Sequence, residues 1–171
     1  MSVIYQHYQP HQFEDYLALV SDERVMAMIT ERGLARAEAQ VDFAQLLQEN
    51  ARHPHLGNFR VEDAATGAYL GFAKLVIAHA DAVEAELGYM LLPQYWGQGW
   101  GTQLAEALLA RARDVPQLQQ LVAIIDPQNV ASRHILTRLG FVTTEVGTWE
   151  GLPAETLRLR LAPVDMPSAD T

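Results

Sequence analysis

Glycines at positions 97, 99 and 101, within LLPQYWGQGWGT over residues 91–102, have a spacing suited to holding an anion. Before them runs an apolar strand pattern, AELGYMLL over 85–92, which Pro93 must end because proline brings no N–H to a sheet ladder. After them comes a helical pattern over 102–113, with Leu104, Leu108, Leu109 and Ala112 recurring on one face. A strand-to-helix turn free of Cβ atoms can aim several N–H groups at one pyrophosphate, at the positive end of the helix dipole. No lysine is needed. Two nucleotide motifs compete and neither fits. A P-loop requires GxxxxGK followed by Ser or Thr, and a dinucleotide fingerprint requires GxGxxG in a βαβ unit with an acid about 20 residues on. Here the spacing is GxGxG, and the chain does not open on a β-strand followed by that loop. From these residues alone, an ordinary strand-to-helix turn with Trp96 and Trp100 as core aromatics stays open.

A second segment narrows the choice. Residues 121–141, LVAIIDPQNVASRHILTRLGF, read as a buried strand over 121–125, a proline turn, and a helix over 130–139 with Asn129 as N-cap and Gly140 at C′. Together the two segments resemble the GNAT superfamily of N-acetyltransferases. In that family the acetyl-CoA loop follows Q/R-x-x-G-x-G/A, and a later helix follows N-x-x-A/S and ends in G-F. The loop maps onto residues 96–101 and the helix onto Asn129, Ser132, Gly140 and Phe141. Trp96 stands where the family usually has Arg or Gln. The branch of ribosomal-protein-alanine N-acetyltransferases often reads YWGxG there, and SDERVMAMI over 21–29 is similar to that branch as well.

The resemblance implies an α+β fold, with a mixed, mostly antiparallel central sheet of about six to seven strands flanked by about four to five helices. It implies acetyl-CoA as cosubstrate and no metal. In the family, the strand before the glycine loop and the next strand are parallel and splay apart, and the pantetheine arm lies between them. Backbone groups of Met90, Leu91 and Leu92 should then pair with the pantetheine amides, and an N–H there could hold the thioester oxygen. Gly97, Gln98, Gly99, Trp100, Gly101 and Thr102 should hold the pyrophosphate, and Asn129 should contact the pantetheine.

Acetyl transfer to an amine makes demands that can be searched for. The ammonium must lose a proton before attack, the oxyanion needs a donor, and the departing thiolate gains from protonation. Glu84 and Glu86 lie on the strand feeding the site, and period 2 puts them on one face with Leu87 and Tyr89 on the other. Glu86, nearer the gap, is the candidate general base, directly or through water; a solvated strand carboxylate is the competing reading. Many family members carry a tyrosine four residues before the G of G-F. Here that position is Leu136, which leaves the Ser132 hydroxyl as candidate acid, unless it simply bonds local backbone. Asn129 caps a helix whatever the ligand. Trp149 and Glu150 fall in a late hairpin that often borders the acceptor pocket in this superfamily.

The supporting elements read as a strand over 3–8, helices over 12–20, 23–30 and 34–51, and strands over 57–62, 68–79 and 83–92 joined by turns at 64–67 and 80–82. Strands over 141–146 and 155–161 close the pattern. A chain of 171 residues with 49% hydrophobic content can bury one sizeable core, so a single N-acetyltransferase domain over 1–162 is expected, with 163–171 a flexible tail.

Composition excludes several classes. There is no cysteine, hence no disulfide, thiolate metal site or cysteine nucleophile. The six histidines form no metal set, and HExxH does not occur. Net charge is −9 with Lys74 the one lysine and the arginines scattered, which disfavours a nucleic-acid groove. An acidic surface could steer cationic amines, although solubility alone explains it. MSVIYQHYQP lacks the features of a signal peptide, and no apolar run reaches the ~18 residues needed to span a bilayer, so a cytoplasmic location away from membranes is expected. The expected activity is direct acetyl transfer, in a ternary complex, to a primary amine of a protein N-terminus or small molecule, with room for a homodimer. A non-catalytic acyl-CoA-binding or interaction module with the same fold is the alternative.

Overall fold

Turn residues separate seven strands, of which the last but one is exposed along its whole length. The computed structural model describes residues 1–162; the tail expected over 163–171 lies outside the described residues. The strands are β1 (Val3–His7), β2 (Gly57–Asp63), β3 (Tyr69–Ile77), β4 (Glu84–Leu91), β5 (Gln120–Ile125), β6 (Val142–Trp149) and β7 (Leu152–Arg160). The helices are α1 (Phe13–Val20), α2 (Glu23–Met26), α3 (Arg36–Asn50), α4 (Trp100–Arg113) and α5 (Val130–Arg138). The strands form one sheet in the order β1-β2-β3-β4-β5-β7-β6. Every neighbouring pair is antiparallel except β4 and β5, which run parallel because α4 carries the chain back between them. This is the expected α+β fold.

A core forms on each face of the sheet. Leu104, Leu108 and Leu109 of α4 and Leu136 of α5 pack on Leu75, Leu87, Leu121 and Leu157. On the other face Tyr16 and Leu19 of α1, Met26 of α2, and Phe43 and Leu46 of α3 gather around Tyr8 and Phe72. Strand β4 serves both by period 2: Ala85, Leu87, Tyr89 and Leu91 belong to the first core and Met90 to the second.

α3 is shorter than the sequence reading by two residues at its start and one at its end, and two other helix boundaries differ for local reasons. α4 starts at Trp100 and not at 102, because Gly99 caps it at φ +90° and the buried Trp100 ring anchors its first turn. The helix expected over 23–30 ends at Met26, whose carbonyl accepts from the N–H groups of Ile29, Thr30 and Glu31; Glu31 has φ +64°. The chain there coils into a loop instead of continuing as a helix.

α5 is tied at both ends and along its side. The Asn129 side-chain oxygen accepts from the Ser132 N–H at 3.1 Å. At the other end Gly140 has φ +100°, its N–H reaches the Thr137 carbonyl at 3.0 Å, and the Phe141 N–H reaches the Leu136 carbonyl at 3.0 Å. That is a Schellman closure, sealed by the contact of buried Leu136 and Phe141 with one core. Along the side, Arg133 Nε donates to Glu155 of β7 at 2.9 Å and Thr143 Oγ1 donates to the same carboxylate at 2.6 Å. Arg133 also reaches the Pro127 carbonyl, so one guanidinium joins the turn before α5 to the sheet.

Two outcomes test these ties. Gly140→Ala should destabilise the fold by about 1–2 kcal/mol, since φ is left-handed and the added Cβ would lie 3.3 Å from Leu159 Cδ1; urea unfolding should show it as a lower midpoint with an unchanged slope. The Arg133 guanidinium, with Thr143, holds the Glu155 carboxyl below its ordinary value of 4.5. A lowered carboxyl pKa stabilises the fold above the unfolded value and loses that effect as pH falls through the folded one. Glu155→Gln should therefore lower the melting temperature near neutrality, and the gap from wild type should close as the pH falls below 4.5. Thermal unfolding over a pH series checks this.

Candidate active site

The site begins where β4 and β5 stop pairing. Glu84, Ala85 and Glu86 face Gln120, Leu121 and Val122, and beyond them the strands separate. The register of β4 decides which of its peptide groups meet the gap. The Leu92 N–H bonds the Leu70 carbonyl at 2.9 Å and the Val83 carbonyl accepts from Gln119 and Gln120. By alternation, residues 88, 90 and 92 turn their peptide groups toward β3, while 87, 89 and 91 turn theirs toward β5. Of the three expected to meet a pantetheine arm, Leu91 turns its peptide groups to the gap side, joined there by Tyr89 and Leu87, whereas those of Met90 and Leu92 turn toward β3. The Leu91 carbonyl is itself occupied by the Trp96 indole N–H at 2.8 Å.

The glycine turn sits at the end of β4. Gly97 and Gly99 have φ of +69° and +90°; nothing lies within 4 Å of a Cβ at Gly97, and only Met1 Sδ, at 3.9 Å, near one at Gly99. The N–H groups of residues 97–102 find no acceptor among the described residues, so they are available to an anion in front of α4. The Gln98 side chain is spent on the Gln94 carbonyl at 2.7 Å, and the Trp100 ring is buried, so both face this turn with backbone only. Gly101 serves a different end. Its φ is ordinary, but a Cβ there would lie 3.3 Å from Ile135 Cδ1 and 3.8 Å from Tyr89 Cε2, so its bareness lets α4 approach α5 and β4 closely.

Below the turn the gap opens into a cavity of about 600 Å³. Its walls are residues 86–90, residues 123–126, Asn129, Ser132 and Leu136 of the α5 region, and the hairpin residues Trp149, Glu150 and Leu152. Met28, Ile29 and Thr30 of the loop after α2 complete it. Trp149 and Leu152 pair across a two-residue turn, Glu150 and Gly151, both at positive φ (+49° and +82°), the geometry that matches strand twist in tight hairpins.

Three polar groups line the cavity from different sides. Glu86 accepts from the one lysine: Lys74 Nζ lies 2.6 Å from its Oε1, and both side chains are about a third exposed. Gly88, directly opposite Lys74, makes room for that stem, since a Cβ there would be 2.9 Å from Lys74 Cε. Ser132 has its N–H held by Asn129 and its side chain on the cavity wall. Tyr89 reaches the same wall from the α4 side, with its hydroxyl buried and without a hydrogen-bond partner among the described residues. A second cavity of about 590 Å³ adjoins the first through Glu86, Ile124, Trp149 and Ala154, and adds Glu49, Arg52, Glu84, Glu145 and Arg158. Among the described residues no three His, Cys, Asp or Glu are grouped to hold a metal ion, and no helix is long and apolar enough to cross a membrane.

The structure therefore gathers Glu86, Ser132, Asn129, Trp149 and Glu150 around one cavity and sets residues 97–102 at its upper end. Sequence reasoning missed Lys74, residues 28–30 and the Tyr89 hydroxyl. Lys74 and Glu86 had a signal, because antiparallel strands joined by a short turn bring same-face residues together. The loop after α2 had none, since long-range packing brings it there.

Comparison with known proteins gives the family and the fold. The model of the Acetyltransferase (GNAT) domain matches residues 3–142. An uncharacterized N-acetyltransferase of Bacillus subtilis (strain 168), YnaD, is 26% identical over 133 residues, 75% of this chain and 74% of that protein. The spermidine N(1)-acetyltransferase of Escherichia coli (strain K12) is 29% identical over 104 residues, 61% of this chain and 55% of that enzyme. Among solved structures, spermidine N-acetyltransferase from Vibrio cholerae in complex with CoA and spermine superposes with a TM-score of 0.76 at 16% identity, over 93% of this chain and 95% of that one. At that identity the likeness is one of fold, and with the family model it gives the assignment: this chain belongs to the GNAT acetyltransferase family and is an N-acetyltransferase.

Proposed function

We propose that residues 1–162 act as a single domain that moves an acetyl group from acetyl-CoA to a primary amine by direct transfer in a ternary complex. The observation that carries this is the juxtaposition of unpaired N–H groups at 97–102 with a gap between parallel strands that leads into a cavity lined by Glu86. The polyanionic end of the donor suits the first, an extended amide-bearing arm suits the second, and an amine suits the third. In this reading Asn129 and the gap-facing peptides of β4 hold the arm, and an N–H of that strand faces the thioester oxygen. Glu86 removes the ammonium proton directly or through water, with Lys74 holding one carboxylate oxygen in place. Ser132, on the opposite wall, stands beside the departing sulfur.

The acceptor is best read as a small-molecule amine, since two relatives are named for spermidine. A protein N-terminus is the second reading. It is supported by the likeness of residues 95–99 and 21–29 to the ribosomal-protein-alanine branch. We keep with the proposal a cytoplasmic location and a homodimer, for which the exposed Val142, Val146 and Trp149 on edge strand β6 offer a surface.

Thiol release from acetyl-CoA should depend on added amine, and double-reciprocal plots should intersect; CoA binding with no amine-dependent release across the panel would leave only an acyl-CoA-binding module. Gly99→Val should abolish CoA binding in calorimetric titration while the protein stays folded, because the side chain strains a left-handed φ at the anion cradle. Glu86→Gln should lower kcat on the order of 10²-fold, less at high pH where the amine is already neutral. A flat comparison across pH would make Glu86 structural.

A further inference from the structure

A buried hydroxyl without a partner is costly, because it has left water and gained no hydrogen bond in return. Tyr89 carries one, and no other buried side-chain oxygen or nitrogen among the described residues shares its situation. Its place is not accidental. The ring lies under the first turn of α4, where the bareness of Gly101 admits it, and the side chain forms part of the cavity wall together with Ser132. The two hydroxyls neighbour each other without meeting in hydrogen-bond geometry. Glu86 lies on the opposite face of β4, so the proposed base and this phenol approach the gap from its two sides.

Resting on the acetyl-transfer reading of the site, we infer that Tyr89 is the proton donor to the departing thiolate, with the Ser132 hydroxyl beside it. The step balances. The amine nitrogen forms its bond to the carbonyl carbon, the C–S bond breaks with its electron pair going to sulfur, and the phenol proton passes to sulfur to give the free thiol. Nitrogen sheds two protons in all, one to solvent by way of Glu86 and one that restores the phenol. The position four residues before Gly140 is the aliphatic Leu136, sealed at 1% exposure in the core, so no hydroxyl comes from there. Burial raises the Tyr89 pKa above its ordinary 10.0, the Ser132 hydroxyl acting in the opposite direction. The group thus stays protonated near neutrality, as a donor must. The other ionisable side chains on the cavity wall are Lys74, Glu86, Asp126 and Glu150, while the residues that crowd Gly101 together with the ring are the apolar Ile135 and Leu91.

Tyr89→Phe keeps the ring and deletes the oxygen, so it should lower kcat on the order of 10²-fold with the acetyl-CoA KM, the CoA affinity by calorimetry and the melting temperature close to wild type. Site-specific replacement of Tyr89 by 3,5-difluorotyrosine, a more acidic phenol, adds a readout that packing cannot move. It should retain turnover and shift the alkaline limb of the kcat profile to lower pH, and it carries the test if the Phe variant fails to fold. Wild-type turnover in Tyr89→Phe, or an unmoved alkaline limb in the fluorinated protein, overturns the role of Tyr89 alone. Wild-type protein that binds CoA and releases no thiol with any amine overturns the reading of the site, and this role with it.

Discussion

Parallel strands that hydrogen-bond for three residues and then diverge leave peptide groups without a ladder partner, and buried peptide groups do not stay unpaired without cause. In this chain the divergence of β4 from β5 is stabilised from both sides. β4 remains registered with β3 over seven residue pairs, from Gly71 with Leu91 to Ile77 with Ala85. β5 is registered with β7 over its whole length. Neither strand can follow the other without breaking an antiparallel ladder, so the opening is a property of the sheet and not of a loose segment. The cradle at 97–102, the cavity beneath it and the orientation of α5 are all arranged around that opening.

The same geometry gives meaning to weak interactions. Lys74 with Glu86 is a partly exposed ion pair of the kind that contributes ~0–1 kcal/mol to stability. As a stability device it is negligible. Its significance is positional, because Glu86 borders both cavities and the single lysine of a chain with net charge −9 is placed against it. Arg133 with Glu155 differs in kind: the carboxylate is almost fully buried, holds three donors, and orients the turn from which Asn129 and Ser132 emerge.

Local chemistry was the legible part of this molecule. The glycine spacing announced a turn with left-handed backbone, Asn129 announced a helix start and Gly140 its end, because each of these depends on only a few neighbouring residues. The parallel pairing of β4 and β5 and a sheet of about six to seven strands came with the family resemblance that those local motifs carry. What escaped depended on partners distant in sequence or on register. Which peptides of residues 90–92 face the gap follows from the pairing of Leu92 with Leu70, and Gly101 is bare because Ile135 and Tyr89 pass beneath it. The Tyr89 hydroxyl is defined by the absence of a partner, which no linear pattern displays.

All three tryptophans of the chain border the site. Trp96, 47% exposed, is fixed by its indole N–H at the edge of the cradle, Trp100 lies buried in the first turn behind it, and Trp149, 56% exposed, stands on the rim of both cavities. No tryptophan sits elsewhere in the fold to dilute them. The intrinsic fluorescence of this protein is therefore a spectroscopic view of the two ends of the strand gap, with Trp96 reporting from the glycine turn, Trp149 from the cavity mouth, and Trp100 supplying a shielded, blue-shifted reference between them.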